Sequence, residues 1–436
     1  MISRRKFVQL SGIAAASASL PSFAQEPAGD DQKDQLHAAP AIAALKSMKD
    51  QAHPITKDER ASRIEKARRL MAENKLDALV ISGGTSLVYF SNIKWWLSER
   101  FFALVLPVKG QPFLVSPAFE EDRAREQIAN GPFDGAADVR IWDEHENPYQ
   151  KLAQGLRDRG ISSGRIGIEE RTYFVYADGI AHAAPAMQLV SAIPVTAGCR
   201  MIKSPHEIAL MRLAAQVTLK AYQAAYLTLR DQPRTSSMTQ NDFAELVSAA
   251  HAKLGFTGGA GVQVGEYSAL PHGSVTPQVI HENEVLLMDG GCAVEGYQSD
   301  ISRTFVIGKP SDKMKKVFEI ERKAQDAALA AARPGVHCEA VDAAARKVIV
   351  DAGYGPGYKY FSHRVGHGMG MDGHEWPYLV KGNTLAMQPN MTFSNEPGIY
   401  IRGEFGVRVE DDMHITEKGA ELFTPQSPSL EDPFGK

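Results

Sequence analysis

The stretch 286–304, LLMDGGCAVEGYQSDISRT, contains two aspartates whose setting could support chemistry. Asp289 ends a short apolar run, and Asp300 precedes a second run. Glycines between the runs allow a tight turn, so we expect the runs to pair as neighbouring strands with both carboxylates close together. Two buried carboxylates repel each other, which is costly unless a cation or a shared proton compensates. On these two residues alone, a solvated hairpin with acidic ends is the simpler interpretation.

A second cluster lies in the stretch 361–378, FSHRVGHGMGMDGHEWPY, which contains His363, His367 and His374. The stretch is too rich in glycine to favour a helix. A single histidine among apolar residues is usually satisfied by one hydrogen bond. Three histidines, flanked by glycines that allow close backbone approach, favour contact with a metal or a substrate.

Two further acidic segments follow along the chain. Glu396 is followed by a proline, which biases the glutamate toward an extended backbone. In the segment 406–412, GVRVEDD, a period of two places Arg408 and Glu410 on the same face of a strand. The two aspartates that end this segment are interpreted as turn residues.

The composition indicates a globular protein. The 436 residues are 44% hydrophobic and 23% charged, which suits two or three domains. The formal net charge of -4 gives no electrostatic case for nucleic-acid binding. Three cysteines, spaced unlike a thiolate metal site, allow at most one disulfide within the chain.

Residues 1–24 have the features of a signal peptide. Arg4 and Arg5 precede a mildly apolar stretch, 10–20, which is too short to span a bilayer because a span needs ~20 residues. Small residues at Ser22 and Ala24 predict cleavage after Ala24. The paired arginines resemble a twin-arginine signal, which exports folded proteins, and an ordinary secretory signal is the alternative. We therefore expect a periplasmic or otherwise exported protein.

Residues 25–59 are polar and rich in alanine, and we interpret them as a tether with one short helix at 41–48. An α/β domain is predicted for residues 60–198. Its first helix should begin with a capping box of Ser62 and Glu65. Its buried face should hold Ile64, Ala67 and Met71. Strands alternating with helices are predicted at 79–81, 101–106, 112–115, 165–168 and 188–195.

A second, α+β domain is predicted for residues 199–425. Ser204 and Pro205 have the sequence features of a helix start, with Glu207 completing a capping box. Another helix should open at Thr239 and close at Gly255. Further helices are predicted at 312–332 and 339–352, and short strands joined by Gly-rich turns are predicted for the rest of this domain.

These motifs resemble those of the dinuclear metallopeptidases with the pita-bread fold, which include aminopeptidase P, prolidase and methionine aminopeptidase. The resemblance covers about residues 60–420 and is carried by the phrases DGG…YQSDISRTF, GHGMG…HE, NEPGIYI and GVRVEDD. The N-terminal α/β domain and the segment RMIKSPHEI match the proline-directed branch. Gly373 stands where that family usually has a branched aliphatic residue, and Met369 replaces a common Leu or Ile.

The resemblance implies a site with two metal ions. Asp300 and Glu410 would bridge both ions, Asp289 would hold one, and His367 with Glu396 would hold the other. Four carboxylates and one neutral imidazole suit divalent ions, and their charge balances two dications. Manganese is the expected metal, with cobalt, iron and zinc as alternatives. A bridging water would readily become hydroxide.

The resemblance also implies roles in catalysis. Glu396 is the expected proton shuttle, and His374 and His272 would stabilise the substrate carbonyl as it becomes an oxyanion. His363 matches a further histidine on the substrate side. Arg408 would orient Glu410 or Asp289.

The expected function is that of an exported, metal-dependent exopeptidase that hydrolyses the Xaa-Pro bond at the N-terminus of peptides or dipeptides. We expect a small peptide substrate, a homodimer, and neither nucleic-acid binding nor a stable membrane span. One alternative is a relative with altered chemistry, such as a C–S lyase or a creatine-type hydrolase. Another is a peptide-binding protein whose metals only stabilise the fold.

Overall fold

The computed structural model describes residues 39–133, 138–231 and 238–435. The predicted signal peptide and the first part of the predicted tether lie outside these residues. Within the described ranges, no helix combines the length and the hydrophobicity that crossing a bilayer requires.

The segment 39–56 is packed against the C-terminal part of the protein, so the predicted tether extends too far. It contains the short helix α1 (Pro40–Ala43). Ile42, Met48 and Ile55 are buried in the same apolar cluster as the residues of a long helix that begins at Pro205. Their burial removes apolar surface from water, which explains why this polar-looking segment is ordered.

Helix α2 (Lys57–Glu73) begins before the position that we expected. Its capping box is formed by Thr56 and Glu59 rather than by Ser62 and Glu65. Thr56 is extended and can bond the free amides of the first turn, whereas Ser62 lies inside the helix and donates to the carbonyl of Asp58. The buried face is as predicted, with Ile64, Ala67 and Met71 buried.

The N-terminal domain has a six-stranded mixed sheet in the order β4-β3-β2-β1-β5-β6. The strands are β1 (Ala78–Ser82), β2 (Ala103–Pro107), β3 (Phe113–Pro117), β4 (Asp138–Trp142), β5 (Gly164–Ile168) and β6 (Met187–Ser191). The connecting helices are α3 (Thr85–Ser91), α4 (Glu121–Ala129), α5 (Pro148–Arg157), α6 (Phe174–Ala183) and α7 (Ile193–Arg200). Every residue of β1, β2 and β3 is buried, because the sheet is covered on both faces.

Two expectations about this sheet have different outcomes. Strands β2 and β3 form the predicted antiparallel hairpin. The strand expected at 188–195 ends at Ser191, and the chain turns into α7. Pro194 stands in the first turn of α7, where its missing N–H costs nothing, so it favours the helix over a longer strand.

The C-terminal domain has four long helices: α8 (Pro205–Asp231), α9 (Gln240–Leu254), α10 (Asp312–Ala331) and α11 (Cys338–Asp351). The caps are as predicted. Ser204 and Glu207 bond each other's backbone amides at the start of α8. Thr239 caps α9, and Gly255 ends it in a left-handed conformation with φ 94°.

A first sheet of this domain contains β7 (Gly258–Val264), β8 (Val285–Val294), β9 (Tyr297–Gln298) and β10 (Ile301–Val306), with β8 between β7 and β10. The two runs around Asp289 and Asp300 do pair, and Ser302 lies opposite Asp289. The turn falls at Glu295 and Gly296 rather than at the earlier glycines. Gly291 instead permits close packing, since a Cβ there would lie 1.9 Å from the Ser299 carbonyl oxygen.

The remaining strands are β11 (Gly366–Gly368), β12 (Glu375–Leu379), β13 (Thr392–Asn395), β14 (Gly398–Ile401), β15 (Phe405–Arg408), β16 (Asp411–Ile415) and β17 (Ala420–Leu422). They form a five-stranded sheet, β12-β11-β13-β16-β17, and the separate pair β14-β15. Asp411 and Asp412 are not turn residues, because they begin β16 and are fully buried. Arg303 compensates the buried charge of Asp411 with an ion pair of 2.7 Å.

Candidate active site

A cavity of about 120 Å³ in the C-terminal domain brings the predicted residues together. All nine residues singled out from the sequence line it, and Arg364 is the tenth. The lining consists of His272, Asp289, Asp300, His363, Arg364, His367, His374, Glu396, Arg408 and Glu410. The sequence contains these residues in five separate segments, so only the fold makes them neighbours.

Strands, or residues directly beside them, position the acidic side chains. Asp289 lies in β8, and Asp300 immediately precedes β10. Glu396 follows β13, and Glu410 lies between β15 and β16. Backbone pairing within the sheets fixes the main chain at or next to each acid, and all four carboxylates line the cavity.

The side chains form two groups of metal-ligand type that share one carboxylate. Ligand atoms of Asp289, Asp300 and Glu410 lie within 4.8 Å of one another. Ligand atoms of His367, Glu396 and Glu410 do so as well. A third group of the same kind joins Asp300 and His367 to His374. Glu410 therefore stands where one side chain could contact two cations.

Glu410 itself provides a test of whether a cation fits. Its Oε2 accepts a hydrogen bond of 2.7 Å from Ser302, but its buried Oε1 has no hydrogen-bond partner among the described residues. Burial raises the pKa of Glu410 well above its usual value, and Asp300 and Glu396 raise it further. An unpartnered carboxylate oxygen in a set of acidic groups is the arrangement that a divalent cation relieves. The residues fit such an ion.

Burial also disfavours the ionised forms of two neighbouring acids, Asp300 and Glu396. Burial raises the pKa of Asp300 well above its usual value, and Asp289 adds to the effect. Burial raises the pKa of Glu396 to about 7, although Arg408 opposes the shift. Without a cation, these acids therefore compete for protons at neutral pH.

His367 is held as a neutral imidazole. Burial lowers its pKa to about 3, and the adjacent His374 contributes in the same direction. Its Nδ1 lies 3.1 Å from the carbonyl oxygen of Gly368, which can only accept, so the proton belongs on Nδ1. The lone pair of Nε2 then faces Oε1 of Glu396 at 3.3 Å. This is the state in which histidine binds metal.

Arg408 orients Asp289. Its Nη2 donates to Asp289 Oδ2 at 2.6 Å, and its Nε donates to Ser302 Oγ at 2.9 Å. Burial alone would raise the pKa of Asp289, but Arg408 and the Ser302 hydroxyl hold it below its usual value. The hydroxyl of Ser302 also touches Glu410, so the arginine supports both carboxylates, one directly and one through the serine.

Tyr400 is a site residue that sequence reasoning missed. Its hydroxyl lies 2.7 Å from His363 Nε2 and accepts a hydrogen bond of 3.0 Å from Arg408 Nη1. One signal was present in the sequence, because Gly398 leaves the space that Tyr400 fills. A Cβ at Gly398 would lie 2.4 Å from the Tyr400 hydroxyl oxygen.

The other histidines lie at the rim of the site. His374 is exposed, and its ring stacks on that of His367 with centroids 3.7 Å apart. Burial lowers the pKa of His374, with Arg364 and His272 acting in the same direction. Arg364, also missed from the sequence, stacks on Tyr378 at 4.1 Å. His374 is therefore kept neutral beside the guanidinium of Arg364.

Comparisons with known proteins identify the family of both domains. Residues 63–202 match the creatinase/prolidase N-terminal domain, and residues 209–417 match the metallopeptidase family M24. The Xaa-Pro dipeptidase of Lactobacillus delbrueckii subsp. lactis is 33% identical over 370 residues, which cover 84% of this chain and 98% of the relative.

Solved structures have the same fold. Dipeptidase PepE from Mycobacterium ulcerans superposes with a TM-score of 0.80 at 31% identity, covering 87% of this chain and 99% of that one. The Xaa-Pro dipeptidase from Bacillus anthracis superposes with a TM-score of 0.72 at 26% identity, covering 85% and 99%. The chain thus belongs to the pita-bread-fold metallopeptidases of the prolidase and aminopeptidase P family.

Proposed function

We propose that the protein is an exported, metal-dependent exopeptidase that hydrolyses the Xaa-Pro bond of dipeptides or of longer peptides at their N-terminus. The observation that carries the proposal is the shared carboxylate of Glu410, whose unpartnered oxygen lies between two sets of ligand-type groups. The similarity to the Xaa-Pro dipeptidase of Lactobacillus delbrueckii subsp. lactis supports the substrate class.

Two divalent cations would be held by these groups. Asp289 would bind one cation, His367 and Glu396 the other, and Asp300 and Glu410 both. When bound, such cations supply a water that ionises near neutral pH and polarise the scissile carbonyl. The oxygen-rich set suits manganese, with cobalt, iron or zinc as the other candidates.

Glu396 is the group that moves the proton. It takes a proton from the attacking water and delivers it to the leaving amine nitrogen. Its carboxylate lines the cavity and lies 3.3 Å from His367 Nε2, and its pKa of about 7 supports a role in proton transfer at neutral pH. The leaving proline nitrogen must gain a proton as the C–N bond breaks, and Glu396 supplies it.

The histidines bind and orient the substrate. His374 and His272, kept at the rim of the cavity, donate hydrogen bonds to the carbonyl oxygen as negative charge develops on it. Burial lowers the pKa of His363 to about 3, so it stays neutral, donates from Nδ1 to the Arg364 carbonyl oxygen and accepts at Nε2 from the Tyr400 hydroxyl. Arg408 keeps Asp289 ionised throughout.

The substrate proposal is tested with purified protein, Xaa-Pro dipeptides, Xaa-Pro-Yaa tripeptides and matched Xaa-Ala peptides. Hydrolysis of the proline peptides should require added metal, stop with a chelator and exceed that of the alanine controls. Tripeptide activity decides between an aminopeptidase and a dipeptidase. Equal hydrolysis of alanine and proline peptides would refute the specificity, and full activity after verified metal removal would refute the metal dependence.

We also propose that the protein is exported and forms a homodimer. Export rests on residues 1–24, and replacing Arg4 and Arg5 with lysine should retain the protein in the cytoplasm. Undiminished periplasmic protein would exclude the twin-arginine route. A homodimer predicts a mass twice that of one chain in sedimentation equilibrium, and a monomer at assay concentration would exclude it.

A further inference from the structure

Asp372 lies two residues before His374, and its carboxylate is bound by the N-terminal domain. Oδ1 accepts hydrogen bonds from Thr85 at 2.6 Å and from Arg171 at 2.8 Å. Oδ2 accepts one from Arg200 at 2.5 Å. Thr85 begins α3, Arg171 follows β5 and Arg200 ends α7. One acidic side chain of the C-terminal domain therefore contacts three separate elements of the N-terminal domain.

Glu375, on the other side of His374, is bound in the same way. It pairs with Arg200 and accepts a hydrogen bond of 2.7 Å from Lys203. Arg200 and Lys203 are 6% and 3% exposed, so water screens these ion pairs little. His374 is thus placed between two acidic residues that buried cations hold.

The backbone between these two residues is also held by Arg171, which donates a hydrogen bond of 3.5 Å to the carbonyl oxygen of His374, while side-chain packing adds little. A Cβ at Gly373 would meet no atom within 4 Å, so packing does not restrain this position. Glycine also gives the backbone more freedom than any other residue would. The exposed ring of His374 stacks on the ring of His367. The place of that ring therefore depends on the residues held on either side.

We propose that Asp372 is a positioning residue through which the N-terminal domain holds His374 over the cavity. The catalytic consequence rests on the proposed function, because His374 there contacts the substrate carbonyl. A displacement of about 1 Å in a group that contacts substrate can cost ~100-fold in rate. The N-terminal domain would then influence the turnover number through Asp372 and His374, although none of the ten residues that line the cavity belongs to that domain.

A double-mutant cycle with Asp372→Asn and His374→Ala separates this role from a general structural one. The asparagine keeps the shape of Asp372 but loses both ion pairs, while Arg200 keeps Glu375 as a partner, so we expect the variant to fold. In the otherwise unaltered enzyme, Asp372→Asn should lower kcat for an Xaa-Pro dipeptide ~10- to 100-fold with little change in KM. In the His374→Ala background it should lower kcat less than about 2-fold.

Arg63→Lys is the matched control. Arg63 joins the same two domains through a buried ion pair with Glu207 at 3.1 Å, and its hydrogen bonds and ion pairs to described residues do not include residues 370–376. The lysine cannot reproduce the forked geometry, so Tm should fall while kcat stays within about 2-fold. Metal content should be unchanged in Asp372→Asn and Arg63→Lys, since neither removes a proposed ligand.

Hydrogen exchange supplies a readout that does not depend on activity. The amides of residues 370–376 should exchange faster in Asp372→Asn than in the unaltered protein and should be unaffected in Arg63→Lys. Equal kcat losses in both backgrounds of the cycle, a matching loss in Arg63→Lys, or unchanged exchange would each overturn the proposal. Absence of Xaa-Pro hydrolysis by the unaltered protein would refute the proposed function instead, and the exchange measurement would then decide alone.

Discussion

Arg408 and Asp289 form a buried ion pair of 2.6 Å at the wall of the cavity. The arginine is 3% exposed and uses three nitrogens, which contact Asp289, Ser302 and Tyr400. The pair therefore fixes the direction of the Asp289 carboxylate, one of the proposed metal ligands, without any cation. A point charge without the guanidinium's planar fork could neutralise Asp289 but could not hold all three partners.

Replacing Arg408 with lysine should therefore lower kcat/KM for an Xaa-Pro dipeptide by about 10- to 100-fold, which is the usual effect of losing a group that orients a metal ligand. Steady-state kinetics and metal titration measure the loss. Arg402→Lys makes the same substitution on the exposed β14–β15 turn and should change nothing. Activity within 2-fold of normal in Arg408→Lys would show that charge alone suffices.

His374→Ala and His367→Ala should have different effects on metal content. Removing a hydrogen-bond donor to the oxyanion typically costs ~10²–10³ in rate, so His374→Ala should lose turnover while keeping its metal. His367→Ala removes the buried imidazole whose Nε2 faces Glu396, so metal content should fall together with activity. Elemental analysis and hydrolysis rates are measured on the same preparations. Metal loss in His374→Ala would make it a ligand of the third group.

The metal-free protein should lose stability as the pH rises. The pKa of Glu396 is about 7 in the folded protein, above the value of about 4.3 in an unfolded chain. The folded state thus binds its proton more tightly, and this contribution to stability is complete below pH ~4.3 and lost as the pH rises through ~7. Urea unfolding with a chelator at pH 5, 6, 7 and 8 tests the decline.

Added metal should reverse that trend. At free metal ~100-fold above its dissociation constant, the free energy of unfolding should increase by about 2.7 kcal/mol. The gain should be larger at pH 8 than at pH 5, because the ligands must be ionised to bind. Identical unfolding curves with and without metal at pH 8 would contradict a cation site built on these carboxylates.

Glu321 is a buried acid on α10 for which no role in the site is evident. Neither of its carboxylate oxygens accepts a hydrogen bond of good geometry from the described residues, although the Val409 amide lies nearby. Burial raises its pKa well above the usual value, against the weaker opposing influence of the Val409 amide and Arg322. Because the folded state retains the proton, its contribution to stability falls as the pH rises through the raised pKa.

Glu321→Gln, which mimics the protonated acid, should therefore stabilise the protein relative to the unaltered chain, and the difference should grow between pH 6 and pH 9. Denaturant unfolding measures it. The matched control is Glu319→Gln, on the exposed side of the same helix, which should have an effect within about 0.5 kcal/mol. A difference that shrinks with rising pH would mean that Glu321 is ionised in the fold.

Helix starts were the most predictable part of the fold where the capping residues were unambiguous. Ser204 and Thr239 each stand three residues before an acid, and both capping boxes form. The box expected at Ser62 failed because the same spacing also occurs at Thr56, where an extended backbone precedes the helix. Local spacing alone cannot tell a cap from an interior position.

The site residues that could be predicted from the sequence are acids, histidines and an arginine that lie in short, recognisable motifs. Tyr400 was not, because it acts on His363 and Arg408, which come from distant segments. The burial of Asp411 was missed for a similar reason, since its partner Arg303 lies in β10. Long-range pairing decides these contacts, and a single sequence contains no record of it.

The packing of segment 39–56 has a topological consequence. Segment 39–56 packs against α8 of the C-terminal domain. The N-terminal domain follows it in the sequence, and residues 201–204 then connect that domain to the start of α8. The N-terminal domain is therefore inserted between two segments that share one core. Cleavage of the chain within residues 201–204 would leave the two domains associated through the noncovalent contacts of Ile42 and its neighbours with α8. A fragment beginning at Ser204 would expose the apolar surface of α8 that those neighbours cover.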